Sequence, residues 1–192
     1  ATKQEKEYAG EVFVQGKKLE SLIEALVKMS RLETGIFQYQ KKETAYREII
    51  HKAVEQALPK ASEKNIRVLV KDVGRYRSNV DEKWVIEAVY NILDNGIKYS
   101  GEGTTVYIEE FSYEFFSGIR ITDQGIGISE EEIPLLFGRF YRGRSAHDKE
   151  GIGVGLFLAR EIVENNGGYI KVASQVGAGS RFDVCFPNIS TL

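Results

Sequence analysis

The sequence predicts an α+β fold: a two-layer α/β sandwich, with a mixed sheet covered by helices, preceded by a long amphipathic helix. Three observations predict it. Residues 11–33 place Val12, Leu19, Leu22, Ile23, Leu26 and Met29 near three-and-four spacing, with Lys, Glu and Arg between them. From Glu43 onward, helical stretches are interleaved with short strand-like runs rich in Val, Ile and Tyr. The last two such runs are joined by Val176-Gly-Ala-Gly179, which makes them a hairpin.

Taken in chain order, the first helix is weakened by Gly16 and stopped by Gly35. Its heptad-like stripe admits two uses, self-association or packing on its own domain, and its place ahead of the globular part favours the first. Thr44 to Leu58 reads as a helix ended by Pro59, and Asn65 to Lys71 as a strand. Asp81 to Tyr99 is the next helix, with Asp81 as N-cap. Thr105–Phe111 and Gly118–Thr122 are strands connected through Tyr113–Ser117. Ser129 to Phe137 reads as a short helix, because Ser129 followed by Glu132 has the spacing of a capping box. Leu156 to Asn166 is helical and closed by Gly167-Gly168. Tyr169–Gln175 and Ser180–Phe186 complete the sheet.

A length of 192 residues suits one medium domain with a short appendage. A net charge of −2 gives no bulk electrostatic drive toward nucleic acid or a membrane surface, so no nucleic-acid partner is expected. The single cysteine, Cys185, rules out a disulfide within the chain; it sits in a strand-like alternation and reads as a packing residue, not a reactive thiol. No apolar run approaches the roughly 18 residues needed to cross a bilayer. The first residues lack the shape of a signal peptide, so the chain reads as soluble.

Glu87, Asn91, Asn95 and Lys98 share one helical face, away from Val85, Val89, Ile92 and Leu93. A solvated polar face is the bland explanation. Mg-nucleotide binding is the sharper one, since carboxamide oxygens are hard ligands for Mg²⁺ and an ammonium offsets phosphate charge. Two glycine-spaced loops tip the balance. Asp123-Gln-Gly-Ile-Gly127 and Gly151-Ile-Gly-Val-Gly-Leu156 are the kind of segment that brings backbone N–H groups close to phosphate oxygens. Either alone is a turn in a chain with 19 glycines; in series, after Asn91–Tyr99, they make a nucleotide site the leading reading.

Asp123, at a strand end, can accept a hydrogen bond from the exocyclic amine of adenine, whereas guanine presents a carbonyl there. Its structural alternative is an Asp-x-Gly turn closed on Gly125. Leu136-Phe-Gly-Arg-Phe-Tyr-Arg-Gly-Arg144 supplies aromatics to cover a base or pack a hinge, and arginines able to reach phosphates. Residues 138–153 have no hydrophobic period and read as a mobile lid.

This order of boxes resembles the ATP-binding domain of bacterial sensor histidine kinases, whose fold is shared with gyrase-type topoisomerases, mismatch-repair ATPases and heat-shock chaperones. The resemblance covers roughly residues 40–188. The segment ending Met29-Ser-Arg-Leu-Glu-Thr-Gly35 is similar to the second helix of the kinases' dimerisation and phosphoacceptor hairpin. The resemblance therefore implies a hairpin remnant at 1–36 and an ATP-binding catalytic domain at 37–192, with ATP and Mg²⁺ as cofactors. It implies Asn95 and Asn91 at Mg²⁺, Lys98 and Arg142 near the phosphates, and Tyr99 beside the base or ribose. Asp123 receives the adenine amine with help from Ser180. Gly125, Gly127 and Ile128 shape the base pocket, and Gly151, Gly153, Gly155 and Leu156 form the phosphate loop. Glu87 matches an acidic position that serves as base or orienting group in parts of the family.

Two departures are mild: Gly96 where Ala is usual, costing about 1 kcal/mol of helix stability, and Val154 where Leu is usual. The large departure is the nucleophile. The family transfers a γ-phosphoryl group to a His in a His-Glu-x-x-Arg-x-Pro-like box, and neither His51 nor His147 lies in one. The expectation is a fragment of a longer kinase that lacks its phosphoacceptor helix. Its partner would be a response regulator, and its parent a homodimer on the cytoplasmic side, with self-association weak or altered in this piece. Two rivals remain from other classes: an ATP-hydrolysing switch in which Glu87 activates water, and a regulator that has lost its nucleotide, against which the intact Asp123, Asn95 and glycines argue.

Overall fold

The computed structural model describes residues 3–33, 39–71, 73–143 and 151–189, so Gly35, Arg144 and His147 lie outside the described residues. The chain divides into two compact units, residues 1–38 and 39–192. The first contains α1 (Lys3–Glu33), which begins well before residue 11. Val12, Phe13, Leu19, Ile23 and Leu26 are exposed along it.

The second unit runs β1 (Lys42–Ala45), α2 (Tyr46–Glu63), β2 (Arg67–Lys71), β3 (Arg77–Val80), α3 (Glu82–Tyr99), β4 (Thr105–Ser112), β5 (Phe116–Thr122), α4 (Gly155–Asn165), β6 (Tyr169–Gln175) and β7 (Gly179–Pro187). The main sheet has the order β2-β4-β5-β7-β6, with β2 parallel to β4 and every other pairing antiparallel. This is the expected mixed sheet. Helices cover one face, where Val106, Ile108, Ile119, Ile121, Val184 and Phe186 are fully buried or nearly so against Ile49, Ile50, Ile92, Leu93 and Ile162.

The structure departs from the sequence expectation at four places. Thr44 belongs to β1, which pairs with β3 in a separate two-stranded sheet. Pro59 does not end α2, which continues to Glu63. Pro59 and the Glu55 whose carbonyl it leaves free are both on the exposed side, while Ala57 and Ala61 are buried and hold the helix down. The strand expected from Asn65 starts at Arg67, because Asn65 takes a left-handed φ of 53°. Ser129–Phe137 yields only a 3₁₀ turn at Ile133–Leu135. There Ser129 Oγ bonds the Glu132 carboxylate at 3.1 Å instead of a backbone N–H, and so short a segment, with Pro134 inside it, cannot offset the cost of helix nucleation.

The other helix ends follow their signals. Asp81 caps α3 by accepting from Trp84 N at 3.3 Å, and its own N–H is held by Asn166 Oδ1 at 2.8 Å. Gly167, at φ 85°, and Gly168 close α4, with Gly168 N donating to Val163 O at 2.9 Å in the 6→1 pattern of a Schellman motif.

The other face of the sheet carries a row of charge beside aromatic side chains such as Phe111, over which Arg120 lies. Register aligns Lys71, Glu109, Arg120, Asp183 and Lys171 across all five strands. At its centre Arg120 grips Asp183 bidentately, at 2.7 and 2.9 Å, although Asp183 is only 1% exposed. Cys185 lies fully buried in the next row, and burial pushes its thiol pKa up, which keeps it unreactive. On the covered face, by contrast, Glu110 in the row of Ile119 and Val184 collects the backbone N–H groups of Gly74, Arg75 and Tyr76 at 2.8–3.0 Å, pinning the β2–β3 connection.

Two stability measurements check this packing. Glu110→Ala removes the acceptor of those N–H groups and should lower the unfolding free energy by about 2 kcal/mol in urea titration. Gly96→Ala should raise it by about 0.5–1 kcal/mol, because an added Cβ would stand 3.4 Å from Asp123 Cβ and 3.6 Å from Val106 Cγ1, ordinary contact distances.

Candidate functional site

The predicted polar stripe is in place on α3. Glu87, Asn91, Asn95 and Lys98 are half-buried, while Val85, Val89, Ile92 and Leu93 on the other side are buried. The helix stands where its apolar side is needed by the sheet and its neighbours, so the polar side is left facing the segments that follow β5.

The glycine loop comes to that stripe. A Cβ on Gly151 would lie 2.6 Å from Lys98 Nζ, and one on Gly155 would lie 3.2 Å from Asn91 Oδ1. Gly151 and Gly153 hold positive φ values of 138° and 78°, which L side chains rarely adopt. Gly153 also packs on the backbone of Phe140 and Tyr141, so the residue before Arg142 lies against the loop. Arg142 itself is half-buried. Leu156 is half-buried in the first turn of α4. Asn91 Nδ2 is buried and has no hydrogen-bond partner among the described residues.

At the C-terminal end of α3 the same stripe meets the Asp123 box. Asp123 is 6% exposed; its Oδ1 accepts from Gly125 N at 2.8 Å and Ser180 N at 3.2 Å. The Asp-x-Gly turn and the free acceptor therefore coexist, since no hydrogen bond among the described residues reaches Oδ2. Burial raises the Asp123 pKa, opposed by these N–H bonds. Ser100 and Gly125 form a bridge, and Ile126 N donates to Tyr99 O at 3.4 Å. Gly127, at φ 70°, packs so tightly that a Cβ would fall 2.0 Å from Gln175 O. The Lys98 ammonium lies 4.7 Å from the centre of the Tyr99 ring.

Ser180 is 7% exposed, and its hydroxyl is committed to Ser174 Oγ at 2.9 Å while its N–H holds Asp123. Ser174 also accepts from Ile128 N at 2.8 Å and donates to Gly179 O at 2.9 Å, so it ties Ile128 to the β6–β7 turn. The sequence reading missed Ser174, whose only local signal is an inconspicuous serine near a turn. It also missed Gln124 Oε1, which accepts from Thr105 N at 2.9 Å and anchors the box to the start of β4.

The aromatic segment docks on α4 through reciprocal cation–π contacts, Arg139 over Phe157 at 4.9 Å and Arg160 over Phe137 at 5.6 Å. The lid expected across 138–153 falls partly outside the described residues. His51 is exposed on α2 and lines a cleft of about 550 Å³ with Arg47, Glu48, Lys52 and Val73, none of which belongs to the site above. Among the described residues no group of three or more His, Cys, Asp or Glu side chains is placed to hold a metal ion.

The fold recurs in solved structures. The mycobacterial sensor histidine kinase MprB is 26% identical, with a TM-score of 0.66 over 77% of this chain and 97% of that one. Full-length ShkA in complex with AMPPNP has a TM-score of 0.81 over 99% of this chain and 40% of that one, at 19% identity, which speaks to the fold alone. Among curated proteins, the sensor-like histidine kinase SenX3 of Mycobacterium bovis is 28% identical over 94% of this chain. The methanogenesis regulatory histidine kinase FilI of Methanothrix harundinacea is 34% identical over 85%. This chain spans 44% of the length of SenX3 and 18% of FilI. Residues 80–189 match the family model described as histidine kinase-, DNA gyrase B-, and HSP90-like ATPase, and the chain belongs to that family.

Proposed function

We propose that residues 37–192 bind ATP with Mg²⁺ and present its γ-phosphoryl group to a histidine of the parent sensor kinase, from which it passes to an aspartate of a response regulator. The observation that carries this reading is the meeting of the α3 stripe with the glycine loop, Lys98 Nζ against Gly151 and Asn91 Oδ1 against Gly155, beside a buried acid with one oxygen free. The unpartnered Asn91 Nδ2 fits the same reading, because a buried amide is retained at a cost unless a ligand completes it.

When bound, Mg-ATP supplies the phosphoryl group and the cation that balances its charge. The residues of this chain position and neutralise. Asn95 and Asn91 offer carboxamide oxygens to the metal. Lys98 and Arg142 face phosphate charge, and the N–H groups at Gly151, Gly153 and Gly155, continuing into Leu156, surround it. Asp123 accepts from the adenine amine through Oδ2, with Ser180 and Gly125 fixing its other oxygen. Tyr99, Gly127 and Ile128 border the base. Glu87 orients or deprotonates the incoming nucleophile. Residues 1–36 are the second helix of a dimerisation hairpin in a homodimeric parent, and the acceptor histidine comes from elsewhere. No helix among the described residues is long and apolar enough to cross a membrane.

Calorimetric titration tests the site. Mg-ADP should bind at least tenfold more tightly than Mg-GDP, about 1.4 kcal/mol, and Asp123→Asn should abolish that preference. The raised Asp123 pKa sets the sign of a pH effect. A raised pKa means the fold favours the protonated acid, so its contribution to stability is present at low pH and lost as pH rises through the raised value. The adenine amine prefers the ionised acceptor, so ADP affinity relative to Asp123→Asn should rise over that same interval. With radiolabelled ATP, no acid-labile phosphoryl group should form on His51 or His147; a label on either would show that the acceptor is in this chain.

A further inference from the structure

We infer that Lys64, a residue outside the nucleotide pocket, is a positioning residue for it, acting through the C-terminal end of α3. Lys64 is the C-cap of α2, and its side chain reaches across to the neighbouring helix. Its ammonium donates to Ile97 O at 2.8 Å, Lys98 O at 2.8 Å and Ser100 O at 3.1 Å. These are carbonyls of the last turn of α3 and its cap, which have no partner within the helix. An ammonium donates in three directions and accepts in none, which suits it to a cluster of carbonyls.

The consequence lies in the carbonyl that Lys64 leaves open. Tyr99 O, between Lys98 O and Ser100 O in sequence, instead accepts from Ile126 N. The neighbouring Ser100–Gly125 bridge extends that contact, and Gly125 N in turn holds Asp123 Oδ1. One cation therefore decides which carbonyls of the helix end point toward α2 and which one faces the Asp123 box. The turn so fixed carries Lys98 and Tyr99, with Asn95 one turn earlier. A positive charge at a helix C-terminus also opposes the negative end of the helix dipole, in the place where phosphate charge is to be accommodated nearby. The surface alternative for a basic residue in this region is illustrated by Lys60, one turn earlier on α2, which pairs with Asp94 at 2.6 Å and touches none of these carbonyls.

The inference rests on the nucleotide reading above, and one set of titrations separates the two. Mg-ADP binding is measured by calorimetry for the wild-type chain, Lys64→Met, Lys64→Arg and Lys60→Met, with melting temperatures recorded for each. Lys64→Met should weaken Mg-ADP about tenfold, Lys64→Arg should recover most of that loss, and Lys60→Met should bind as the wild type does. In amide NMR spectra of the unliganded protein, Lys64→Met should shift Gly125 and Ile126, which lie beyond the three carbonyls that its ammonium holds. A Lys64→Met variant that melts lower yet binds Mg-ADP with wild-type affinity overturns the inference, as does equal weakening in Lys60→Met. If Lys64→Met does not fold, Lys64→Gln, which removes the charge and is too short to reach all three carbonyls, is read on the same scale, and wild-type affinity there overturns it too. Failure of the wild-type chain to bind Mg-ADP at all would instead refute the nucleotide reading, and with it this inference.

Discussion

The Asp123 carboxylate is almost fully removed from water, and such a group is tolerated only where N–H donors are aimed at it. The donors come from Gly125, two residues on, and from Ser180, on a strand far along the chain. Satisfying one oxygen in this way forces the loop after β5 and the start of β7 together. That approach is possible because Gly127 and Gly179 carry no Cβ where the backbones of Gln175 and Asp123 come within about 2 Å of its ideal position. Much of the site's architecture follows from this contact. The β6–β7 turn becomes a wall, Ser174 becomes a tie to Ile128, and the end of α3 is brought to the loop through Tyr99 and Ser100.

Legibility in the sequence tracks how local each determinant is. The helix α3 was legible because its cap, its apolar period and its polar stripe all lie within a few turns of one another. The central strands were legible for the same reason, being apolar runs set off by turns. The β1–β3 pair was not, since Lys-Glu-Thr-Ala and Arg-Ser-Asn-Val lack an apolar alternation and gain strand geometry only by pairing with each other. The continuation of α2 past Pro59 was hidden because tertiary burial of Ala57 and Ala61 outweighs a local breaker. At the candidate site, Asn91, Asn95, Asp123 and the glycines announce themselves by spacing. Lys64, Ser174 and Gln124 do not, because each acts on a distant backbone atom, and no pattern along the chain marks a side chain that completes another element's hydrogen bonds.

The sheet divides labour between its faces. The covered face is apolar and anchors α2, α3 and α4, which fixes the polar side of α3 in one orientation. The other face adds to its aromatic contacts a row of alternating charge, in which Asp183 is enclosed by Arg120 and flanked by Lys171. Edge strands β2 and β6 each contribute a lysine to this row, a placement that discourages edge-to-edge pairing with other sheets.

The pairing of β5 with β7 joins Arg120 to Asp183, 63 positions away, and the intervening stretch holds the Asp123 box, the aromatic segment, the glycine loop and α4. Up to β6, which rejoins the sheet beside β7, that stretch is a connection between strands already held by their own pairing. Loop-closure entropy grows only with the logarithm of length, each doubling adding about 0.6 kcal/mol. Closing the connection between Arg120 and Asp183 therefore costs little more than closing one of half its length. The long connection therefore weighs little against the frame, which is set by the pairing of β5 with β7 on either side of it.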